Sequence, residues 1–507
     1  MDKIEPLATA AEVESRKSVL NEVQKIVNKW IQEASTKQGF MGEALRVACG
    51  KVFTFGSFRL GLITPSSDID ALCVAPKHIN REDFFETLLP ILESNPNVTD
   101  LSGVPDAVVP IIKMKYREIE VDLTFARLNL AVVDSKLENL DSDSLLKHLD
   151  EKTVRSINGT RVADALLSLV PNKATYITVL RYVRHWAKRR GLYSNAMGFF
   201  GGITWAILSA RICQMYPNMT PLQVVFKFFL VFSRWNWTNP VTLCPITQSS
   251  EVGLMGFKIW NPRLNSGDRL HLMPIITPAF PCMNSTYNVT ETTRRIITAE
   301  LGRAHVLMPQ AAFDIEKLDK LSRVPPVLSL FNYYLAVEVS GANESAVTKL
   351  KGFVESRIRL LLKFLESPAS GVQKTRPWPK ELELNGGKKS VWVIGLSFSP
   401  NGVADLRPAI SMFLEKLSDW SEKDKFVEGI DYSVSMFHFS SHHSFMKELR
   451  LLADGSALVN NQADEYRENL MSQEDARSAT GVPAKLDDMI GGGGGRKRKL
   501  ELEVDIA

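Results

Sequence analysis

The tightest constraint on the fold is an eight-residue run, Glu118-Ile119-Glu120-Val121-Asp122-Leu123-Thr124-Phe125. Ile119, Val121, Leu123 and Phe125 alternate with polar residues, the period-two pattern of a strand with one face on a core. Asp122 then belongs to the polar face. Upstream, Asp68-Ile69-Asp70 opens another apolar run, Ala71 to Val74. Read as a strand, it places Asp68 and Asp70 on one side and Ile69 on the other. If the two strands pair, three carboxylates converge.

Converging carboxylates repel, and they persist where a divalent cation neutralises them. Hard oxygen ligands of this kind suit Mg²⁺ or Mn²⁺, which keep waters and add substrate phosphates to their shell. Two such ions can clamp an in-line displacement. Phe55-Gly56-Ser57, eleven residues before Asp68, fits the same chemistry. Glycine lets backbone approach a phosphate, and the next N–H and hydroxyl can donate to it. Gly-Lys-Ser/Thr is missing, which disfavours a Walker-type NTPase. An isolated Asp-x-Asp is common and a lone Gly-Ser commoner still; the combination, with a strand-borne third Asp, is what points to a site.

The 507 residues predict about three domains. Asp68 and Asp122 fall in an α/β segment of 35–152, preceded by a helix from Val13 to about Trp30. Strands are expected at Val52–Phe55 and Ile69–Val74, a helix at Arg81–Leu92, and a hairpin of Val108–Lys113 and Glu118–Ala126 turning near Lys115–Arg117. Residues 153–325 read as mainly helical, with the clearest helices at Thr175–Arg190 and Ile203–Met215. Residues 326–457 contain a β-α-β-α-β order: strands Phe331–Val339, Ser390–Phe398 and Tyr432–Phe439, helices Ala346–Leu365 and Leu406–Leu417, and a loop at 367–389. Residues 458–507 turn polar and end in Gly491–Gly495 and Arg496–Lys499, a tail expected to be disordered.

The net charge of +4 neither requires nor excludes nucleic acid. Five cysteines without a CxxC pair disfavour structural zinc and a disulfide framework. The start, Met1 to Pro6, lacks the character of a secretory signal, and no apolar run reads as a membrane span. Asn-x-Ser/Thr triplets at Asn284 and Asn288 therefore read as chance matches. Trp205, Trp235, Trp237 and Trp260 read as core.

Pro171 to Asn195 holds Lys173, Arg181, Arg184, Lys188, Arg189 and Arg190 and no acidic residue. On a helix, Arg181, Arg184 and Lys188 share a face, beside an apolar stripe of Tyr176, Leu180, Val183 and Ala187. Such a face suits a triphosphate or an RNA backbone; the plain alternative is a solvated helix face. Tyr193 and Asn195 follow, positioned to stack or read a base edge.

Five stretches carry a resemblance. Phe53–Gly61, Asp68–Pro76, Arg155–Gly159, Asn195–Ile203 and His271–Pro278 resemble eukaryotic nuclear-type poly(A) polymerases, in order, along about residues 20–440. The resemblance implies an α+β chain with three parts: a polymerase-β-like nucleotidyltransferase domain (35–152), a helical middle domain (153–325) and an RRM-like, ferredoxin-like RNA-binding domain (326–457). The helix in 1–34 is expected to pack on the middle domain. The resemblance makes Asp68, Asp70 and Asp122 the catalytic, metal-binding triad for two Mg²⁺ or Mn²⁺ ions. It assigns Phe55, Gly56, Ser57, Thr64, Arg184, Tyr193, Asn195, Gly202 and Ile203 to ATP, and Asn158 to the last nucleotide of the RNA primer. Animal and fungal members carry Lys where this chain has Arg184, so a planar fork replaces a point charge.

The activity implied is template-independent addition of AMP from ATP to an RNA 3′-hydroxyl, releasing pyrophosphate, in the nucleus. The expected partners are ATP, the RNA 3′ end or poly(A), and the cleavage and polyadenylation machinery, with no membrane and a monomeric state. Arg496–Lys499 reads as a nuclear import signal, against a solubilising or RNA-tethering tail. Lys349, Lys351, Arg357, Arg359 and Lys363 are candidates for RNA phosphates. The competing readings are a terminal uridylyltransferase, a 2′-5′ oligoadenylate synthetase, and a catalytically silent RNA-binding scaffold.

Overall fold

The computed structural model describes residues 5–105, 107, 109–254, 256–311, 320–325, 330–341, 344–384, 388–398, 404–419 and 430–438. The tail after 458, with Arg496–Lys499, lies outside the described residues, as does the side chain of Lys349. The chain divides into two compact units: residues 1–185, 202–228 and 237–285, and residues 186–201, 229–236 and 286 onward.

The first unit opens with α1 (Ala10–Lys37), started by a reciprocal cap. Thr9 Oγ1 accepts from Glu12 N and the Glu12 carboxylate accepts from Thr9 N. Five strands follow: β1 (Lys51–Thr54), β2 (Ile69–Ala75), β3 (Val98–Val104), β4 (Ile111–Tyr116) and β5 (Ile119–Arg127). The sheet runs β1-β2-β5-β4-β3, with β2 and β5 parallel and the other pairs antiparallel. The β4–β5 hairpin turns through Arg117 and Glu118, both at positive φ (47° and 66°), as two-residue hairpins of one favoured type require. Lys115 and Tyr116, expected in the turn, are therefore strand residues.

Both faces of this sheet are covered, which explains the continuous apolar run of β2. Ile69, Ala71, Cys73, Val121, Leu123 and Phe125 enter one core, and Leu72, Val74 and Ala126 the other. α1 departs from its expected place on the middle helices. Its stripe of Val19, Val23, Val27, Trp30 and Ile31 enters the first of these sheet cores. The Trp30 ring meets Phe84 and Phe125 edge-on, at 6.3 and 6.4 Å. A stripe of large apolar side chains at helical spacing finds its complement in the flat apolar face of β2 and β5, so burial decides the position.

The helices that follow are α2 (Glu151–Leu169), α3 (Lys173–Arg189), α4 (Gly202–Met215), α5 (Pro221–Ser233) and α6 (Glu291–Ala311). The apolar stripe of α3 is buried as expected; Tyr176, Leu180, Val183 and Ala187 are at most 1% exposed. Trp205, Trp237 and Trp260 are buried, and Trp235 is half-buried. Asn284 and Asn288 are buried too, Asn284 Oδ1 accepting from Ile275 N at 3.0 Å, so neither is open to a glycan in the folded chain.

The second unit contains β6 (Tyr333–Gly341), α7 (Glu344–Leu365), β7 (Val372–Pro377), β8 (Leu382–Leu384), β9 (Lys389–Phe398), α8 (Arg407–Ser418) and β10 (Ile430–His438). Its antiparallel sheet runs β10-β6-β9-β7, with β8 also on β9, the ferredoxin-like arrangement of a β-α-β-β-α-β chain. β7 and β8 arise where the sequence predicts a loop. β7 is an edge strand, so Pro377 can close it without breaking a ladder on both sides.

Candidate active site

β2 and β5 bring the two carboxylate motifs together. Their parallel register sets Asp70 beside Asp122, on the sheet face shared with Leu72 and Val74. Asp68 stands one residue before β2. Carboxylate oxygens of Asp68, Asp70 and Asp122 all lie within 4.8 Å of one another, and each residue is half-buried. The convergence expected from the sequence is therefore present.

Like charges crowd together in the cluster. Burial, then Asp68 and Asp122, push the Asp70 carboxyl up to about 7, against the pull of Lys113 and Arg184. Lys113 stands opposite Asp122 on β4, its Nζ 2.9 Å from Asp122 Oδ2. Gly56 has φ +58°, and a Cβ there would lie 2.0 Å from Asp70 Oδ2. The position thus requires glycine twice over, for its backbone conformation and for its closeness to the carboxylate. Phe55 N donates to Asp70 O at 3.0 Å, tying the Gly-Ser turn to β2.

The surrounding residues are held by contacts outside the sequence motifs. Phe55 packs its ring on Gly159 of α2, where an added Cβ would approach it to 3.0 Å. Arg59 pairs with Asp164 of α2, its NH2 2.8 Å from Oδ2. Arg16 of α1, 5% exposed, donates to the carbonyls of Pro65 (2.7 Å) and Ser67 (3.0 Å), clamping the loop that leads into Asp68. Within that loop Thr64 N donates to Ser67 Oγ at 2.9 Å. Of these, Lys113 was within reach of sequence reasoning: a two-residue turn at 117–118 dictates that Lys113 faces Asp122. Arg16 and Arg59 carry no local signal, because their partners lie 51 and 105 residues away.

In the first unit, Asn158 and Arg184 are half-buried, and Asn158 Oδ1 and Arg184 Nε are buried without a hydrogen-bond partner among the described residues. Arg184 acts electrostatically on Asp70. Gly202 and Ile203 open α4. The expected basic face of α3 is not uniform: Arg181 is buried and donates to Glu5 O at 2.6 Å, so it does not offer its charge to a ligand there. In the second unit, Asn195 is exposed and its carbonyl accepts from Asn288 Nδ2 at 3.0 Å. Tyr193 is half-buried, with Lys188 Nζ 5.6 Å from its ring centre.

Three oxygen donors within one ion's reach, a raised carboxyl and a glycine beneath it fit a divalent cation. The chain also matches known proteins along most of its length. Residues 2–170 match the "Poly(A) polymerase nucleotidyltransferase domain" family, 175–323 the "Poly(A) polymerase central domain", and 329–391 the "Poly(A) polymerase predicted RNA binding domain". Nuclear poly(A) polymerase 1 of Arabidopsis thaliana is 47% identical over 347 residues, 68% of this chain and 48% of that protein. Poly(A) polymerase of Dictyostelium discoideum is 36% identical over 493 residues, 93% of this chain and 57% of that protein. The chain thus spans about half the length of these relatives. Among solved structures, a cytoplasmic RNA terminal U-transferase aligns over 64% of this chain and 95% of that one, at 14% identity and a TM-score of 0.44. Since all three consecutive family matches are to parts of one enzyme family, and in the order of the chain, this chain belongs to the poly(A) polymerase family.

Proposed function

We propose that this chain adds AMP from ATP to the 3′-hydroxyl of RNA without a template, releasing pyrophosphate. The observation that carries the reading is the convergence of Asp68, Asp70 and Asp122 over Gly56, in a chain of this family. In this reading the three carboxylates hold two Mg²⁺ or Mn²⁺ ions. Bound divalent ions would lower the pKa of the attacking hydroxyl and stabilise the leaving oxygen.

The remaining roles combine the chemistry of the residues with the likeness to the family. Gly56 lets the backbone stand against the Asp70 carboxylate, and Ser57 offers its N–H and hydroxyl to a phosphate. Arg184, with a free Nε and its charge directed at Asp70, suits the triphosphate. Phe55 and Thr64 belong to the two tied segments flanking the cluster, and Tyr193, Gly202 and Ile203 are assigned to ATP by family likeness. Asn195 reads the adenine edge, and the unpaired Asn158 Oδ1 accepts from the last primer nucleotide. Most of the rate gain comes from positioning and charge neutralisation.

The reading carries the domain limits 35–152, 153–325 and 326–457, a monomeric enzyme, and a role with the cleavage and polyadenylation machinery. A nuclear site of action is supported by the name of the Arabidopsis relative. Among the described residues no helix is long and apolar enough to cross a membrane.

The test extends a labelled oligo(A) primer with each NTP singly, in Mg²⁺ and in Mn²⁺, beside Asp70→Ala. The expected result is a ladder with ATP alone, absent in the mutant. A ladder with UTP would move the chain to the uridylyltransferases, and RNA binding without turnover would favour the silent scaffold.

A further inference from the structure

The residues before the Tyr193–Asn195 turn meet a buried charge cluster that the proposed chemistry leaves unused. Glu300 of α6 is 1% exposed. Its carboxylate accepts from Arg190 at 3.0 and 2.9 Å in a two-point fork, and from Arg303 Nε at 3.0 Å. Arg376 of β7 reaches the same carboxylate at 3.4 Å and donates to Arg190 O at 3.2 Å. Arg190 also donates to Arg323 O, Arg189 to Ser322 O, and Arg303 to Leu321 O. The end of α3 is thus fastened to α6, to β7 and to residues 321–323.

The next residue is fastened by shape. Gly191 has φ +66°, and a Cβ there would lie 2.4 Å from the Trp378 ring, just after β7. Trp378 N in turn donates to Val393 O of β9 at 2.9 Å. On its far side the turn is held by Asn288 Nδ2, which donates to Asn195 O at 3.0 Å, and by the close approach of Gly198 to Asn288 O. α6 is joined to the C-terminal fold as well: Thr292 N donates to Glu366 at 2.8 Å, and Thr375 Oγ1 to Thr292 Oγ1 at 3.1 Å.

We infer that the Arg190–Glu300–Arg376 cluster is a positioning device, through which the C-terminal fold sets the Gly191–Gly201 turn and so tunes ATP affinity. Arg376 and Trp378 belong to the fold matched as an RNA-binding domain, yet both act on the segment that carries Tyr193 and Asn195. The ATP arm rests on the proposed function; the positioning arm does not. A merely structural cluster would affect melting and leave the turn and the nucleotide KM alone.

The experiment compares the full chain with Glu300→Gln and with Arg376→Lys, each first checked for cooperative melting. Arg376→Lys keeps a charge on β7 but loses the guanidinium nitrogen that donates to both Arg190 O and Glu300, so it remains informative if Glu300→Gln does not fold. Two quantities are read: amide hydrogen exchange over 191–201 without ligand, and KM for ATP against KM for primer. The expected result is exchange about tenfold faster over 191–201, with KM for ATP raised between about ten- and a hundredfold and KM for primer and kcat changed far less. Unchanged exchange over 191–201 in a folded variant overturns the inference. Faster exchange with unchanged KM for ATP also overturns it. A wild-type chain inert with every NTP sinks the polymerase reading instead, and the exchange arm still decides whether the cluster holds the turn.

Discussion

Asp70 and Glu300 are both acidic side chains withdrawn from water, and their surroundings act on them in opposite directions. Asp70 has two carboxylates for neighbours, is pushed up to about 7, and keeps Lys113 and Arg184 only at the margin. Glu300 is met by Arg190, Arg303 and Arg376, and these guanidinium groups hold its carboxyl far below the usual carboxylate range against the cost of burial. One cluster crowds like charges together, and the other surrounds its charge with opposite ones. Burial alone therefore does not mark a ligand site; the sign of the neighbouring charge does.

Removing each carboxylate should break the comparison first. Glu300→Ala leaves buried guanidinium groups without their counterion and should cost about 3–5 kcal/mol in chemical unfolding. Asp70→Asn relieves like-charge crowding and should leave stability unchanged or raise it in the absence of divalent cation, while abolishing AMP addition. Equal destabilisation by the two substitutions would mean that Asp70 is a structural residue. Next in size is Gly56→Ala. Its Cβ would stand 2.0 Å from Asp70 Oδ2, so AMP addition should fall by roughly 10²-fold, with only about 1–3 kcal/mol lost in unfolding. An active Gly56→Ala enzyme would place the reacting phosphate elsewhere.

These two regions also differ in how much of them could be read from the sequence. The alternation around Asp122 and the i, i+2 spacing of Asp68 and Asp70 announced three converging carboxylates, because strand geometry converts spacing directly into direction. Nothing comparable announced the Glu300 cluster, since Arg190, Glu300 and Arg376 are brought together only by tertiary folding. Arg190 was legible only as one more cation in a basic segment. α1 failed for a related reason: its apolar stripe was visible, but the choice between two apolar partners rested on the shape of the β2–β5 face. Thr124 sat on the expected polar face, yet it is buried and donates to Ala71 O at 3.1 Å, a bond across strands that a period-two pattern cannot foresee. β7 was missed because Pro377, Pro379, Gly386 and Gly387 give 367–389 the character of a loop, whereas an edge strand tolerates Pro377 at its end.

A smaller effect lies in pH. The folded chain holds the Asp70 proton up to about 7, whereas an unfolded aspartate releases it near pH 3.9. Between these values folding takes up a proton, so this group's stabilising contribution is full below about pH 4 and is lost as pH rises through 7. Glu300 has the reverse sign: its contribution is present at neutral pH and is lost only as pH falls into the strongly acidic range. Melting temperature measured without divalent cation should therefore decline between about pH 5 and 7.5 more steeply in the wild type than in Asp70→Asn, and saturating Mg²⁺ should remove the difference. Identical slopes would exclude Asp70 as the titrating group.

The smallest effect separates paired from unpaired charge on α7. Lys351 is one of the cations that the sequence offers to RNA phosphates, but its Nζ lies 2.6 Å from Glu381 and 3.1 Å from Glu383, so its charge is already answered. Lys363 on the same helix is exposed, with no carboxylate partner among the described residues. The two lysines carry the logic of Asp70 and Glu300 to the surface: a charge satisfied within the chain releases little counterion when RNA arrives. If RNA runs along α7, Lys363→Ala should lower the slope of log affinity against log salt by about 0.7, one single-strand phosphate contact, and Lys351→Ala should leave it unchanged. The measurement is primer affinity over a salt series for each variant. A slope lowered by Lys351→Ala would mean that RNA displaces Glu381 and Glu383, and that internal pairing on this helix does not remove a cation from binding.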